Sequence, residues 1–166
     1  MEIERKFLVK EMPGDLSVYE KKEIEQGYLN RNPVLRIRRS NDKYILTYKM
    51  KVEAKGKSSA PCVNEEIEAA LTKEAYMHLR TKTDNNMIEK TRYIIPYSNR
   101  GKEYKIELDV FHGCLEGLVF AEVEFPGLEE ADDFVGPDWF GEDVSDDRRY
   151  RNGFLSEQTG LDAFRI

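Results

Sequence analysis

Charged side chains at every second position are the feature of this sequence that points to chemistry. The first set is Glu2, Glu4 and Lys6, interleaved with Ile3 and Phe7. Because side chains alternate between the two faces of a β-strand, the three charges share one face and the apolar residues take the other. Carboxylates bind hard divalent cations and ammonium groups bind anions, so this face is suited to a charged partner.

The same alternation recurs along the chain, and the Glu-x-Glu pattern occurs at 2/4, 66/68 and 122/124. The acidic residues of this face are Glu2, Glu4, Glu66, Glu68, Glu107, Asp109, Glu122 and Glu124. Its basic residues are Lys6, Arg36, Arg38, Lys49, Lys90, Arg92 and Lys105. An ordinary sheet with one solvated face would explain any single strand. Uncharged polar residues are nevertheless scarce on this face, which favours a site that binds charged groups.

The two kinds of charge together indicate a metal-bridged polyphosphate site. Arginine and lysine suit phosphate oxygens, and carboxylate clusters suit Mg²⁺ or Mn²⁺. Burying an unpaired ion in a dry interior costs several kcal/mol. This many charges therefore require a wide, hydrated space in which they neutralise one another or a ligand. No P-loop, GxSxG or HExxH motif suggests a different chemistry.

Strands and short turns must position these side chains. Turn residues at Asn41-Asp42 and at Ser98 to Gly101 predict tight antiparallel connections. Amphipathic helices are predicted at 73–82 and 128–135, and a last helical stretch within 149–165, and they would cover the apolar outer faces. The eight predicted strands are 2–9, 23–30, 34–40, 43–50, 62–70, 87–97, 102–112 and 117–126.

The predicted fold is mainly β (α+β): an eight-stranded antiparallel β-barrel that forms a charged tunnel, with covering helices. An open sheet packed on helices is the alternative. The chain of 166 residues is expected to form a single domain over 1–166. A loop is predicted at 51–61, and its role is left open.

Composition limits the partners. The formal net charge is -6 and the pI is about 5.2, which disfavours nucleic acid and anionic membranes. The two cysteines and two histidines are too few and too scattered for a zinc site, and reduced structural thiols are expected. No apolar run approaches the ~20 residues of a membrane span. No signal peptide is expected before Glu2, so the predicted location is cytoplasmic.

These residues resemble the CYTH superfamily, the triphosphate tunnel metalloenzymes. The ExExK signature matches Glu2, Glu4 and Lys6, and the segment VSDDRRYRNGFL at 144–155 also looks like a family segment. The resemblance extends in order through Arg36-x-Arg38, Lys49, Glu66-x-Glu68, Lys90-x-Arg92, Glu107-x-Asp109 and Glu122-x-Glu124. It implies an eight-stranded antiparallel tunnel and hydrolysis of triphosphates with Mg²⁺ or Mn²⁺.

The resemblance also implies roles for individual residues. The metal would be held by Glu2, Glu4, Glu122 and Glu124. The phosphates would be held by Lys6, Arg36, Arg38, Lys49, Lys90, Arg92 and Lys105. The catalytic set would be Glu2, Glu4, Lys6 and Glu124. The remaining tunnel carboxylates, Glu66, Glu68, Glu107 and Asp109, would orient basic residues or assist with the metal.

Hydrolysis of inorganic tripolyphosphate is the expected function, because the sequence shows no clear set of residues for base recognition. A class IV adenylate cyclase, a thiamine or nucleoside triphosphatase and a non-catalytic polyphosphate-binding module are the alternatives. The expected partner is a small polyanion such as tripolyphosphate, ATP or thiamine triphosphate, with no nucleic acid and no membrane. A monomer or a homodimer is expected.

Overall fold

The computed structural model of the protein describes residues 2–52 and 62–164, with backbone alone for Glu2, Cys62 and Val63. Apart from its first two residues, the loop predicted at 51–61 lies outside the described residues. None of the described helices is long and apolar enough to cross a membrane.

Antiparallel strands dominate the fold, as predicted. They form one nine-stranded sheet in the order β5-β4-β3-β2-β6-β7-β8-β1-β9. The strands are β1 (Glu2–Val9), β2 (Glu20–Arg31), β3 (Val34–Ser40), β4 (Lys43–Lys51), β5 (Cys62–Leu71), β6 (Asp84–Asn99), β7 (Lys102–Phe111), β8 (Val119–Phe125) and β9 (Phe140–Asp143). The helices are α1 (Lys73–Arg80), α2 (Leu128–Asp133) and α3 (Asn152–Ser156).

The sheet curls so that β5 also meets β1. Among the described residues this seam is short: Glu2, Ile3 and Glu4 pair with Asn64, Val63 and Cys62 of β5. Further along the same edge of β1, Phe7 and Val9 pair instead with β9. The predicted antiparallel, mainly β fold is therefore confirmed, and only the word barrel is loose: the eight predicted strands curl until β1 meets β5, and a ninth strand, β9, pairs with β1. β9 was missed because four residues carry too little alternation to stand out.

Local sequence signals place the turns and α1. Asn41 has a φ of 52°, and Arg100 and Gly101 have φ of 51° and 75°. At Arg100-Gly101 both central residues have positive φ, and at Asn41-Asp42 the first one does; both patterns belong to two-residue hairpin turns whose twist suits antiparallel strands. The Thr72 hydroxyl accepts a hydrogen bond from the Ala75 N–H at 3.1 Å and so caps the start of α1.

Two apolar clusters lie on opposite faces of the sheet. The outer one joins Ile106, Leu108 and Val123 to residues around α2 and β9, as expected for a covered outer face. The inner one contains Phe111 and Phe120, which share their strand face with charged residues. Its other members are Tyr28, Ile88, Leu115, Leu118, Val144, Tyr150 and Leu155.

The C-terminal segment was predicted to cover an outer apolar face, and this prediction is wrong. Tyr150 and Leu155 instead belong to the inner cluster, and the Tyr150 ring lies 6.0 Å from that of Phe120. The segment folds onto the inner face because Phe111 and Phe120 occupy positions there at which the alternating pattern would otherwise place charged side chains. One part of the inner face is thus apolar, and the charges occupy the rest.

Candidate functional site

A buried ion cluster joins β6 to β7 on the inner face. The Lys90 ammonium donates to Asp109 Oδ2 at 2.7 Å. The Arg92 guanidinium donates to both Asp109 oxygens, at 2.7 and 2.8 Å, and to Glu107 at 2.5 Å. Lys90 and Asp109 are fully buried, so each charge there is compensated by a direct partner rather than by water.

The pKa values in this cluster follow from burial and from neighbouring charges. Burial lowers the pKa of Lys90 to about 8, although Asp109 opposes the shift. Burial favours the neutral form of Asp109, but Arg92 and Lys90 outweigh it and lower the pKa of its carboxyl. Near neutral pH the cluster therefore remains ionised.

A second ion pair lies where β1 meets β8, with Lys6 directly opposite Glu122. The Lys6 ammonium lies 3.6 Å from the Glu122 carboxylate and donates to the Tyr150 carbonyl at 2.5 Å. Burial favours neutral Glu122, but Lys6 and Arg92 outweigh it and hold its pKa well below the usual range. Glu122 is therefore an anion already engaged by cations.

Arginines on β3 are less well compensated. Arg36 is 5% exposed, its Nη2 lies 3.4 Å from the Thr47 hydroxyl, and its buried Nε has no hydrogen-bond partner among the described residues. Arg38 donates to Gln26 Oε1 at 2.8 Å. Burial, with the cations Arg36 and Arg92, lowers the pKa of Arg38 to about 9. This crowding of cations would be relieved by a bound anion.

Lys49 links three strands of the inner face. Its ammonium lies 3.9 Å from Glu4 and 4.0 Å from Glu66. Glu66 and Lys49 are partly buried, whereas Glu68, two residues further along β5, is exposed. Glu66 therefore takes part in the charge network, and Glu68 lies at its edge.

A cavity of about 570 Å³ lies between the inner face and the C-terminal segment. We call it the basic cavity, because seven basic and two acidic side chains of the described residues line it. The strands and the turn between β2 and β3 contribute Glu4, Lys6, Tyr28, Arg31, Asn32, Val34, Arg36, Lys49, Lys51 and Asn64. The C-terminal segment contributes Ser145, Arg148, Arg151, Asn152, Gly153, Phe154 and Glu157.

A second cavity, of about 670 Å³, has the opposite charge balance, and we call it the acidic cavity. Its charged residues are Glu20, Lys22, Lys102, Glu103, Lys105, Glu107, Glu124 and Glu130. Of the predicted phosphate ligands, only Lys105 lies here, and it is exposed. A polyanion would therefore favour the basic cavity.

The structure divides the predicted phosphate-binding residues into groups. Lys6, Arg36 and Lys49 line the basic cavity. Lys90 and Arg92 are held in the buried ion cluster, and Arg38 contacts Gln26. Four further basic residues of the cavity were not among those predicted from the sequence: Arg31, Lys51, Arg148 and Arg151. The last two fall in the segment at 144–155 that carried the resemblance, which was the available signal.

The predicted metal ligands have different surroundings. Glu4 lies directly opposite Glu124, and Glu122 is engaged by Lys6 and Arg92. Among the described residues, no three acidic, histidine or cysteine side chains form a metal-binding group, and the Glu2 side chain is not described. Two facing carboxylates still fit Mg²⁺, which commonly takes one or two carboxylates together with substrate phosphates and water.

Comparison with known proteins assigns the chain to a family. The CYTH domain model matches residues 1–152. The chain belongs to the CYTH family. A protein of Nitrosomonas europaea named inorganic triphosphatase is 36% identical over 161 residues, covering 93% of this chain and 96% of that protein. A second protein named inorganic triphosphatase, from Acetivibrio thermocellus, is 35% identical over 158 residues, covering 93% of this chain and 92% of that protein.

A solved structure supports the same assignment for this CYTH protein. The crystal structure of the inorganic triphosphatase NE1496 aligns with a TM-score of 0.66 and 32% identity, covering 95% of both chains. The likeness therefore extends over almost the whole length of the chain.

Proposed function

We propose that this CYTH protein hydrolyses triphosphates with the help of a divalent metal, and that inorganic tripolyphosphate is its main substrate. The observation that carries the proposal is the basic cavity, which the part of the chain that the structure describes lines with seven basic and two acidic residues, in a chain of net charge -6. The names of the two relatives support triphosphate as the substrate class.

The strand residues of the cavity would bind the phosphate chain. Arg36 offers a buried Nε–H with no partner among the described residues, and a phosphate oxygen would supply the missing acceptor. Lys49 lines the same cavity, 3.9 and 4.0 Å from two carboxylates, and its ammonium would add positive charge beside the phosphate chain. The same charges would neutralise the phosphate oxygens as the bond breaks.

Glu4 and Glu124 would hold Mg²⁺ or Mn²⁺ from adjacent strands. When bound, the metal would neutralise phosphate charge and lower the pKa of a bound water. In the overall reaction a water oxygen bonds to a terminal phosphorus and the bridging P–O bond breaks, giving phosphate and diphosphate. Lys90 and Arg92 are bound to Asp109 and would act on the substrate through the electrostatic potential of the inner face rather than by direct contact.

The test is phosphate release from tripolyphosphate, ATP, thiamine triphosphate and pyrophosphate, each with EDTA, Mg²⁺ or Mn²⁺. Fast release from tripolyphosphate that EDTA abolishes is the expected result. Glu4→Gln should be inactive, and Glu65→Gln, which removes an exposed carboxylate from the other face of β5, should match the wild type. Cyclic AMP and diphosphate from ATP would establish the cyclase instead. Tight tripolyphosphate binding without turnover would establish a binding module.

A further inference from the structure

The C-terminal segment forms one wall of the basic cavity and is fixed to the sheet. The Val144 N–H donates to the Lys6 carbonyl at 2.8 Å, and the Lys6 ammonium donates to the Tyr150 carbonyl. Leu155, at 1% exposure, anchors α3 in the inner apolar cluster. This wall is therefore held in place before any ligand binds.

Three arginines of this wall have different surroundings. Arg149 donates to Asp147 at 2.6 Å and to the Ala163 carbonyl at 3.1 Å, so its charge is committed within the segment. Arg148 and Arg151 both line the basic cavity and are exposed. Neither has a carboxylate partner within 4.0 Å among the described residues.

The opposite wall supplies a second, independent sign of an anion-binding site. Arg36 is 5% exposed, lines the same cavity and leaves its buried Nε without a hydrogen-bond partner among the described residues. The cavity is thus bounded by uncompensated guanidinium groups on both sides. Guanidinium forks bind phosphate oxygens in pairs, so an extended phosphate chain would satisfy both walls at once.

We infer that Arg148 and Arg151 are specificity-determining residues that bind one terminal phosphate of inorganic tripolyphosphate, at the end of the chain that is esterified in ATP and thiamine triphosphate. The inference rests on the proposed function and adds the basis for choosing among triphosphates. An inorganic chain presents a phosphate group at both ends, whereas in ATP or thiamine triphosphate an organic group replaces one terminal charge. Cations on both walls therefore favour the inorganic chain.

The test compares Arg148→Gln, Arg151→Gln and the double variant with Arg39→Gln/Lys73→Gln, which removes the same charge from exposed positions outside the cavity. KM and kcat are measured for tripolyphosphate and ATP. We expect KM for tripolyphosphate to rise about threefold in each single variant and about tenfold in the double variant, with kcat within about twofold. KM for ATP should change less, so that the preference for tripolyphosphate shrinks.

Two further measurements separate charge from folding. Arg148→Lys/Arg151→Lys should recover most of the lost affinity, because the charge is kept. Raising the salt concentration should increase KM more steeply in the wild type than in the glutamine double variant, because salt screens exposed charges. A double glutamine variant with wild-type KM for tripolyphosphate, or with equal losses for tripolyphosphate and ATP, would overturn the inference.

Calorimetric binding of tripolyphosphate without metal distinguishes failure of this inference from failure of the proposed function. If the wild type binds tripolyphosphate but does not hydrolyse it, the enzyme proposal fails, and the wall arginines are still judged by the loss of affinity in the double variant. If the wild type hydrolyses tripolyphosphate and the double variant binds it equally well, only the inference fails. If the wild type neither binds nor hydrolyses it, both fail.

Discussion

The Lys90 ammonium lies 2.7 Å from the Asp109 carboxylate, and neither side chain is exposed to solvent. Arg92 shares the same carboxylate through two hydrogen bonds. Asp109 therefore compensates Lys90 and shares the compensation of Arg92 with Glu107. This relationship gives Asp109 the role of holding basic residues, one of the two roles that the sequence left open for it.

Asp109→Asn is expected to destabilise the protein strongly. The amide would leave Lys90 and Arg92 short of a negative charge, and breaking a buried ion pair by removing one partner costs about 3–5 kcal/mol. Urea unfolding measures the loss. Glu107→Gln is the matched control: Glu107 is partly exposed and Arg92 would keep Asp109, so a loss under about 1 kcal/mol is expected. Equal losses in the two variants would contradict this account.

The pH dependence of stability should reveal the buried Lys90. Its pKa is about 8 in the folded protein, against an ordinary value of 10.5. Between these two values the unfolded chain binds more protons than the folded one, so the free energy of unfolding contributed by Lys90 rises with pH. Below about pH 8 the cost of burying the charged form is present in full.

Unfolding in urea at about pH 7.5 and about pH 9.5 tests this for the wild type and Lys90→Met. The wild type should gain about 1–2 kcal/mol more than the variant over this interval, because the variant lacks the titrating group. Parallel changes in the two proteins would mean that Lys90 has an ordinary pKa. The difference between proteins isolates Lys90 from other groups that titrate in the same range.

The paired charges of the inner face illustrate what the sequence can predict. The turn at Arg100-Gly101 sets Asn99 opposite Lys102, and counting back from it brings Arg92 opposite Asp109. The sequence contained this pairing, because a hairpin turn fixes the register of both strands. It did not contain the pairing of Lys6 with Glu122, since β1 and β8 are distant in the chain and no turn relates them.

The parts that the sequence analysis missed depend on long-range contacts. β9 joins β1 through strand pairing and through the Arg5–Asp143 ion pair at 2.7 Å, and four residues carry no periodic signal of their own. The wall of the basic cavity is also irregular, made of a 3₁₀ turn at Arg148–Tyr150 and the short α3. Alternation could therefore identify the strand wall of the site but not the C-terminal wall.

Arg36→Met is expected to lower activity without lowering stability. Arg36 is buried with an unsatisfied Nε among the described residues, so replacing it by an apolar side chain of similar length removes an uncompensated cation. Without ligand, the melting temperature should stay the same or rise. KM for tripolyphosphate should increase by about tenfold or more, because a charge-assisted hydrogen bond to substrate is lost.

Tripolyphosphate itself provides the readout for Arg36. Saturating tripolyphosphate should raise the melting temperature of the wild type, since a ligand that binds only the folded state stabilises it. The rise should be smaller for Arg36→Met and unchanged for Arg39→Gln, whose side chain lies on the other face of β3. A full ligand-induced rise in Arg36→Met would exclude Arg36 from the phosphate site.

Glu4 and Glu124 face each other across β1 and β8, and this register predicts that they share one task. Glu4→Gln and Glu124→Gln should each lower kcat at least about 100-fold, because half of a two-carboxylate metal site loses its charge. The double variant should be little worse than either single variant, since residues that act as a unit are not additive. Melting temperatures should stay near that of the wild type in all three. If the losses in kcat multiply in the double variant, the two carboxylates act in separate steps. Raising the Mg²⁺ or Mn²⁺ concentration should restore the activity of a single variant only if that variant retains a weakened metal site.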